Sequence, residues 1–114
     1  MTVKRINVGP IMSGAVIHGN TVYLSGQTGE GATVTEQAKD CLAKVDALLA
    51  EAGTDKSKIL QTLIYLKDIR NFAEMNDVWK AWVDPANTPA RATSEASLAA
   101  PNILVEFTVI AALD

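Results

Sequence analysis

The chain has 114 residues, 48% of them apolar, with ten basic and thirteen acidic side chains and a net charge of −3. That length fits one domain, residues 1–114, with little material for an enclosed site, so a cleft here is expected to need a partner subunit. The charge balance lacks the basic stripe of a nucleic-acid binder, one cysteine and one histidine exclude a disulfide scaffold and a Cys/His zinc site, and no apolar run reaches the ~18 residues of a membrane span.

The first residues, Met1-Thr2-Val3-Lys4-Arg5, lack the apolar run of a signal peptide, so a cytoplasmic protein is expected. Residues 3–8 read as a strand that Gly9-Pro10 breaks. Ser13 to Ile17 and Thr21 to Ser25 read as a hairpin, with His18-Gly19-Asn20-Thr21 as its tight turn. His18 is expected to be an exposed turn residue. Gly26 to Gly31 carries three glycines in neither dinucleotide nor phosphate-loop spacing and reads as a flexible connector.

A long helix follows. Thr33 to Glu36 fits a capping box, and Gly53 is placed to end the helix. Val34, Ala38, Cys41, Leu42, Val45, Leu48, Leu49 and Ala52 recur at steps of three or four and define its buried stripe. Cys41 lies on that stripe and reads as a core residue rather than a nucleophile. Ile59 to Lys67 is β-branched with apolar residues at both parities, as in a strand covered on both faces. Asn71 to Glu74 resembles a second helix start, followed by an apolar face of Phe72, Met75, Val78, Trp79 and Trp82. The prolines at 85 and 89 stiffen a loop. Residues 91–98 and 103–111 read as the last strands.

The expected fold is α+β, in the order β-β-α-β-α-β-β, with two helices on one face of a mixed sheet. The other face would be left open. Leu60, Ile64, Leu66, Leu104 and Ile110 are the apolar residues assigned to it, and covering it calls for oligomerisation.

Two charged residues stand out. Glu106 interrupts an apolar strand, and an unpaired buried carboxylate is costly, so it is solvent-facing, paired or functional. Arg91 offers a planar fork suited to a carboxylate, or a salt bridge to Glu95. If their strands are adjacent, the two side chains could face one cleft, with Ser25 beside them.

The whole chain resembles the RidA (YjgF-like) family. The resemblance is carried by Gly19 to Gln27, Lys58 to Asp68, Phe72-Ala73-Glu74-Met75-Asn76, Pro89-Ala90-Arg91 and Leu104-Val105-Glu106. Residues 12–18 look more like the shorter, less characterised branch. The resemblance implies a chorismate-mutase-like fold and a homotrimer with clefts at its subunit interfaces. It also implies hydrolysis of reactive enamines and imines, of the 2-iminobutanoate or 2-iminopropanoate type, to a 2-keto acid and ammonia. No metal or organic cofactor is implied, and neither nucleic acid nor membrane is expected as a partner. Other members have been described as ribonucleases or translation inhibitors.

Matched residue by residue, Arg91 would hold the substrate carboxylate and Glu106 would position or activate water. Ser25 and Gly26 would line the cleft. Thr93 falls where the deaminases usually carry a cysteine, and Met12 falls roughly where they carry a tyrosine. The retained Arg91 and Glu106 favour a deaminase. The changes at Met12 and Thr93 favour the alternative, a non-catalytic trimer that binds small carboxylates.

Overall fold

The computed structural model describes residues 1–114. Its elements are β1 (Val3–Val8), β2 (Ser13–His18), β3 (Thr21–Leu24), α1 (Val34–Ala52), β4 (Ile59–Leu66), α2 (Phe72–Trp82), β5 (Ala90–Glu95) and β6 (Val105–Ala112). Three strands, not two, precede α1, because residues 3–8 pair with β2 as β1. No helix is long and apolar enough to cross a membrane.

The six strands form one sheet in the order β1-β2-β3-β6-β4-β5. Every pairing is antiparallel except β4 with β5, whose connection runs through α2. In the β2–β3 hairpin, Gly19 takes φ +63 in a two-residue turn, a conformation a side chain would resist. In β1, Asn7 adopts φ 52, and the pairing with β2 passes from Ile6 to Val8 without it.

Helix α1 follows its sequence signals closely. The Thr33 hydroxyl accepts the Glu36 N–H at 3.1 Å. Glu36 reaches back to the Ala32 N–H rather than to that of Thr33, closing a variant of the capping box. At the other end Gly53, at φ 91, donates to Ala50, and Thr54 donates to Leu49, the paired bonds of a Schellman ending. Helix α2 begins differently. Asn71 makes no side-chain cap, because it closes a preceding 3-10 turn, Ile69–Asn71. Glu74 instead accepts from the N–H and hydroxyl of Thr35, tying α2 to the first turn of α1.

Both helices pack on one sheet face. Val105, Phe107, Val109 and Ala111 of β6 point into this core, with Ile64 and Leu66 of β4. The Trp79 ring stacks on Phe107, with centroids 6.3 Å apart. Ile64 and Leu66 are therefore core residues, not members of the open face, and Leu104 packs at the edge of the same core. Strand β4 is covered on one face only within the chain. Its other face, with Leu63 and Tyr65, continues through Tyr23 and Ile110, and Leu60 protrudes at a bulge; Tyr23 is 47% and Leu60 51% exposed.

One buried polar residue escaped the apolar pattern. Gln37 donates to the carbonyls of Gly31 and Asn102 and accepts from the Leu104 N–H, all between 2.8 and 3.0 Å. It ties the loop before α1 to the loop before β6. Gln37→Leu leaves those backbone groups without their partner, and a loss of about 2–3 kcal/mol is expected. A urea unfolding midpoint equal to that of the unmodified chain would show that the tie contributes nothing.

Candidate active site

Glu106 lies between Val105 and Phe107, both fully buried, and the two-residue period of β6 turns it to the open face. It sits directly across from Tyr65 of β4. No hydrogen bond or ion pair within the chain engages its carboxylate. Beside it runs the segment after β3. Gln27 and Phe107 exchange backbone hydrogen bonds of 2.8 and 3.0 Å, so residues 25–27 continue alongside β6 and are not a loose connector. Gly26 presses on the Glu106 side chain. A Cβ at Gly26 would collide with the carboxylate, lying 2.9 Å from Glu106 Cδ. A side chain at Gly26 would thus displace the acid from its present position, and the contact, not an unusual φ, sets the preference for glycine.

Ser25 precedes it, with its N–H and hydroxyl both donating to Gly14, at 2.9 and 3.1 Å. The Gln27 side-chain amide donates to Ser25 in turn. Ser25, Gly26 and Gln27 line a groove of about 490 Å³ with Met12, Asn7 and Lys44. Met12 stands in the turn between β1 and β2, 63% exposed, next to Ile11, 90% exposed. Met12, Ser25 and Gly26 are thus gathered in one place, with Glu106 against Gly26.

Arg91 and Thr93 are elsewhere. Strand β4 separates β5 from β6, so the strands of Arg91 and Glu106 are not neighbours. Arg91 pairs with Thr62 and Thr93 with Ile64, which puts both on the helix face. Glu106 is on the opposite face, two strand spacings or about 10 Å away across the sheet. The two side chains do not share a cleft within one chain. Fifteen residues of sequence separation suggested adjacent strands, but the parallel crossover through α2 inserts β4 between them.

On the helix face, the Arg91 side chain meets α2. Its Nη1 donates to Asn76 Oδ1 at 2.6 Å. Its guanidinium carbon lies 5.6 Å from the Phe72 ring centre and 5.5 Å from that of Trp79. Neither ion pair of the chain involves it, and Glu95 instead accepts the Ile69 N–H. Partial burial pulls the Arg91 pKa below its usual value. The hydroxyls of Thr62 and Thr93 are buried without a partner. Sequence reasoning assigned no part to Asn76, although a polar residue on an otherwise apolar helical stripe was a signal.

His18 is exposed at the end of β2, as its turn position suggested. A family model described as Endoribonuclease L-PSP matches residues 4–113. A RutC family protein of Haemophilus influenzae is 41% identical over 97% of this chain and 98% of its own length. The RutC family protein YoaB of Escherichia coli is 40% identical over 99% and 100%. A crystal structure of a YjgF family member from Neisseria meningitidis superposes with a TM-score of 0.99. It is 43% identical and covers 100% of this chain and 97% of that one. The chain belongs to the RidA (YjgF-like, RutC) family. The α+β fold expected from sequence is the fold observed, with both helices on one face of a mixed sheet.

Within this RidA-family chain the one thiol takes no part in the site. Cys41 is fully buried in α1, and burial pushes its pKa up to about 12. A thiol held protonated and out of reach reacts slowly. At pH 8 a chromogenic disulfide reagent should label Cys41 only after denaturant is added. Rapid labelling of the native protein would show that α1 opens readily.

Proposed function

We propose that this chain is a hydrolytic deaminase of reactive enamines and imines, giving a 2-keto acid and ammonia, in keeping with the function of its family. The observation that carries the reading is Arg91. It is a half-buried guanidinium, fixed against α2, with no carboxylate in the chain to neutralise it. Such a group is poised for a small carboxylate, and the fork geometry of arginine suits one bidentately.

The opposite facing of Arg91 and Glu106 supports a site shared between copies. A second copy laid against the open sheet face and the β5 edge would bring one chain's Arg91 to another chain's Glu106, Gly26 and Ser25. The apolar open face, with Tyr23, Leu60 and Ile110, supplies a reason for copies to associate. A closed trimer satisfies this for three equivalent faces without leaving one uncovered.

In that arrangement the imino acid is held by its carboxylate on Arg91. Glu106 orients a water and takes its proton as the oxygen attacks the imine carbon. The imine reacts as its conjugate acid, so the C=N π bond becomes the lone pair of a neutral carbinolamine nitrogen. Protonated Glu106 then gives its proton to that nitrogen, the C–N bond breaks to release ammonia, and the hydroxyl hands its own proton to the Glu106 carboxylate as its oxygen forms the keto group. One carboxyl acting as base and then acid needs only good placement, because the carbon is already electrophilic. Gly26 keeps the space in which the carboxyl turns.

Imines generated in place by a serine or threonine dehydratase can be trapped with semicarbazide. The unmodified chain should lower the trapped product in proportion to its concentration. Glu106→Gln should lose about 100–10,000-fold of that rate while still binding 2-ketobutyrate. Arg91→Ala should lose the binding. Full activity in Glu106→Gln would refute the mechanism. An inactive but keto-acid-binding unmodified chain would establish the non-catalytic carboxylate binder instead.

The shared cleft has its own test. Arg91→Ala and Glu106→Gln chains, each inactive alone, are co-expressed and purified together. Random mixing leaves about one quarter of interfaces with both native residues, so about a quarter of the activity should return. No recovery in a demonstrably mixed oligomer would place both residues in one chain's site. Light scattering of the unmodified protein should give the mass of a trimer.

A further inference from the structure

Arg91 is held by one stripe of one helix. Phe72, Asn76 and Trp79 are spaced four and three residues apart on α2, so they line up along one side of it. Two of them offer ring faces at 5.6 and 5.5 Å, and the third offers a single oxygen at 2.6 Å. Arginine carries donors only, so the Asn76 amide must turn its oxygen toward the guanidinium. None of the three brings a negative charge. The cross-strand partner of Arg91 on β4, Thr62, is also neutral.

Neutrality matters at this position. An aspartate has the same shape as asparagine and would make a stronger, charge-assisted bond to the same arm. It would also occupy the guanidinium with an internal counter-ion and compete with any incoming carboxylate. An amide oxygen accepts one N–H and leaves the positive charge unspent. The rings attract the cation through their π faces without neutralising it. Only one of the five guanidinium N–H groups has a partner in the chain, which leaves the others for a ligand.

We propose that Asn76 is a positioning residue for substrate recognition. It fixes the orientation of the Arg91 fork through a neutral acceptor and so keeps its charge and remaining donors free for the carboxylate of the imino acid. The inference rests on the reading of Arg91 as the carboxylate anchor. It assigns to α2 the holding of the carboxylate anchor, separate from the chemistry at Glu106.

The test uses 2-ketobutyrate binding by calorimetry and the semicarbazide-trapped imine rate, on the intact oligomer. Asn76→Asp preserves size and adds only charge. It should raise both the dissociation constant and KM about 10–100-fold while kcat stays within about twofold. Asn76→Leu, which removes the acceptor, should raise both about tenfold. Asn76 is half-buried at the helix edge, and melting temperatures of both single variants report on their folding.

Binding by a folded Asn76→Asp equal to that of the unmodified chain overturns the proposal. So does a fall in kcat with KM unchanged, which would put Asn76 at the reacting atoms. If Arg91→Ala binds 2-ketobutyrate normally, the carboxylate anchor itself is misassigned and this inference falls with it. If Arg91→Ala abolishes binding and neither Asn76 variant weakens it, only the positioning role falls.

Discussion

The alternation of β6 governs the rest of the molecule. Its odd-numbered residues from Val105 to Ala111 are fully buried and form the floor on which both helices sit. Because β6 is paired on both sides, with β3 and β4, its register cannot slip without turning four core side chains into solvent. The same constraint holds Glu106 on the far face. The acid thus avoids the cost of an unpaired charge in the core and inherits the rigidity of the best-anchored strand. The placement of Glu106 is a by-product of core packing.

Local signals in the sequence were read well where they are local in physics. The cap at Thr33, the ending at Gly53 and the stripe through Cys41 depend on residues within a few turns of one another, and α1 follows them. Strand β4 misled because its outward residues Leu63 and Tyr65 are as apolar as its inward ones. Pattern alone cannot tell a face covered by a helix from a face left for something else. Asn71 misled because a 3-10 turn, set by Asp68 accepting the Arg70 N–H, took over the start of α2.

The candidate site was legible as a list and illegible as a place. Residue types at 25, 26, 91 and 106 carry chemistry that a sequence can suggest. Which of them meet depends on strand order, and strand order depends on where the crossover through α2 returns. Arg91 and Glu106 are close along the chain and divided by β4 in space. Conversely, Phe72, Asn76 and Trp79 lie up to nineteen positions before Arg91 and are its immediate neighbours. The aromatic face of α2 was assigned to the core, and Trp79 is indeed buried there, yet its ring also borders the guanidinium.

The left-handed backbone at Asn7 bears on how a molecule with an open-edged sheet avoids strand-by-strand growth at that edge. Strand β1 is an outer edge, and a straight edge offers unpaired backbone groups as a template for fibril growth. Here the left-handed residue interrupts the regular spacing of those groups near the middle of the strand's far half, Lys4 and Arg5 add like charges, and Pro10 follows the strand's end. A stack of copies pairing edge to edge along β1 would have to straighten the backbone at Asn7 and bring the charges together. The edge therefore discourages endless addition of strands.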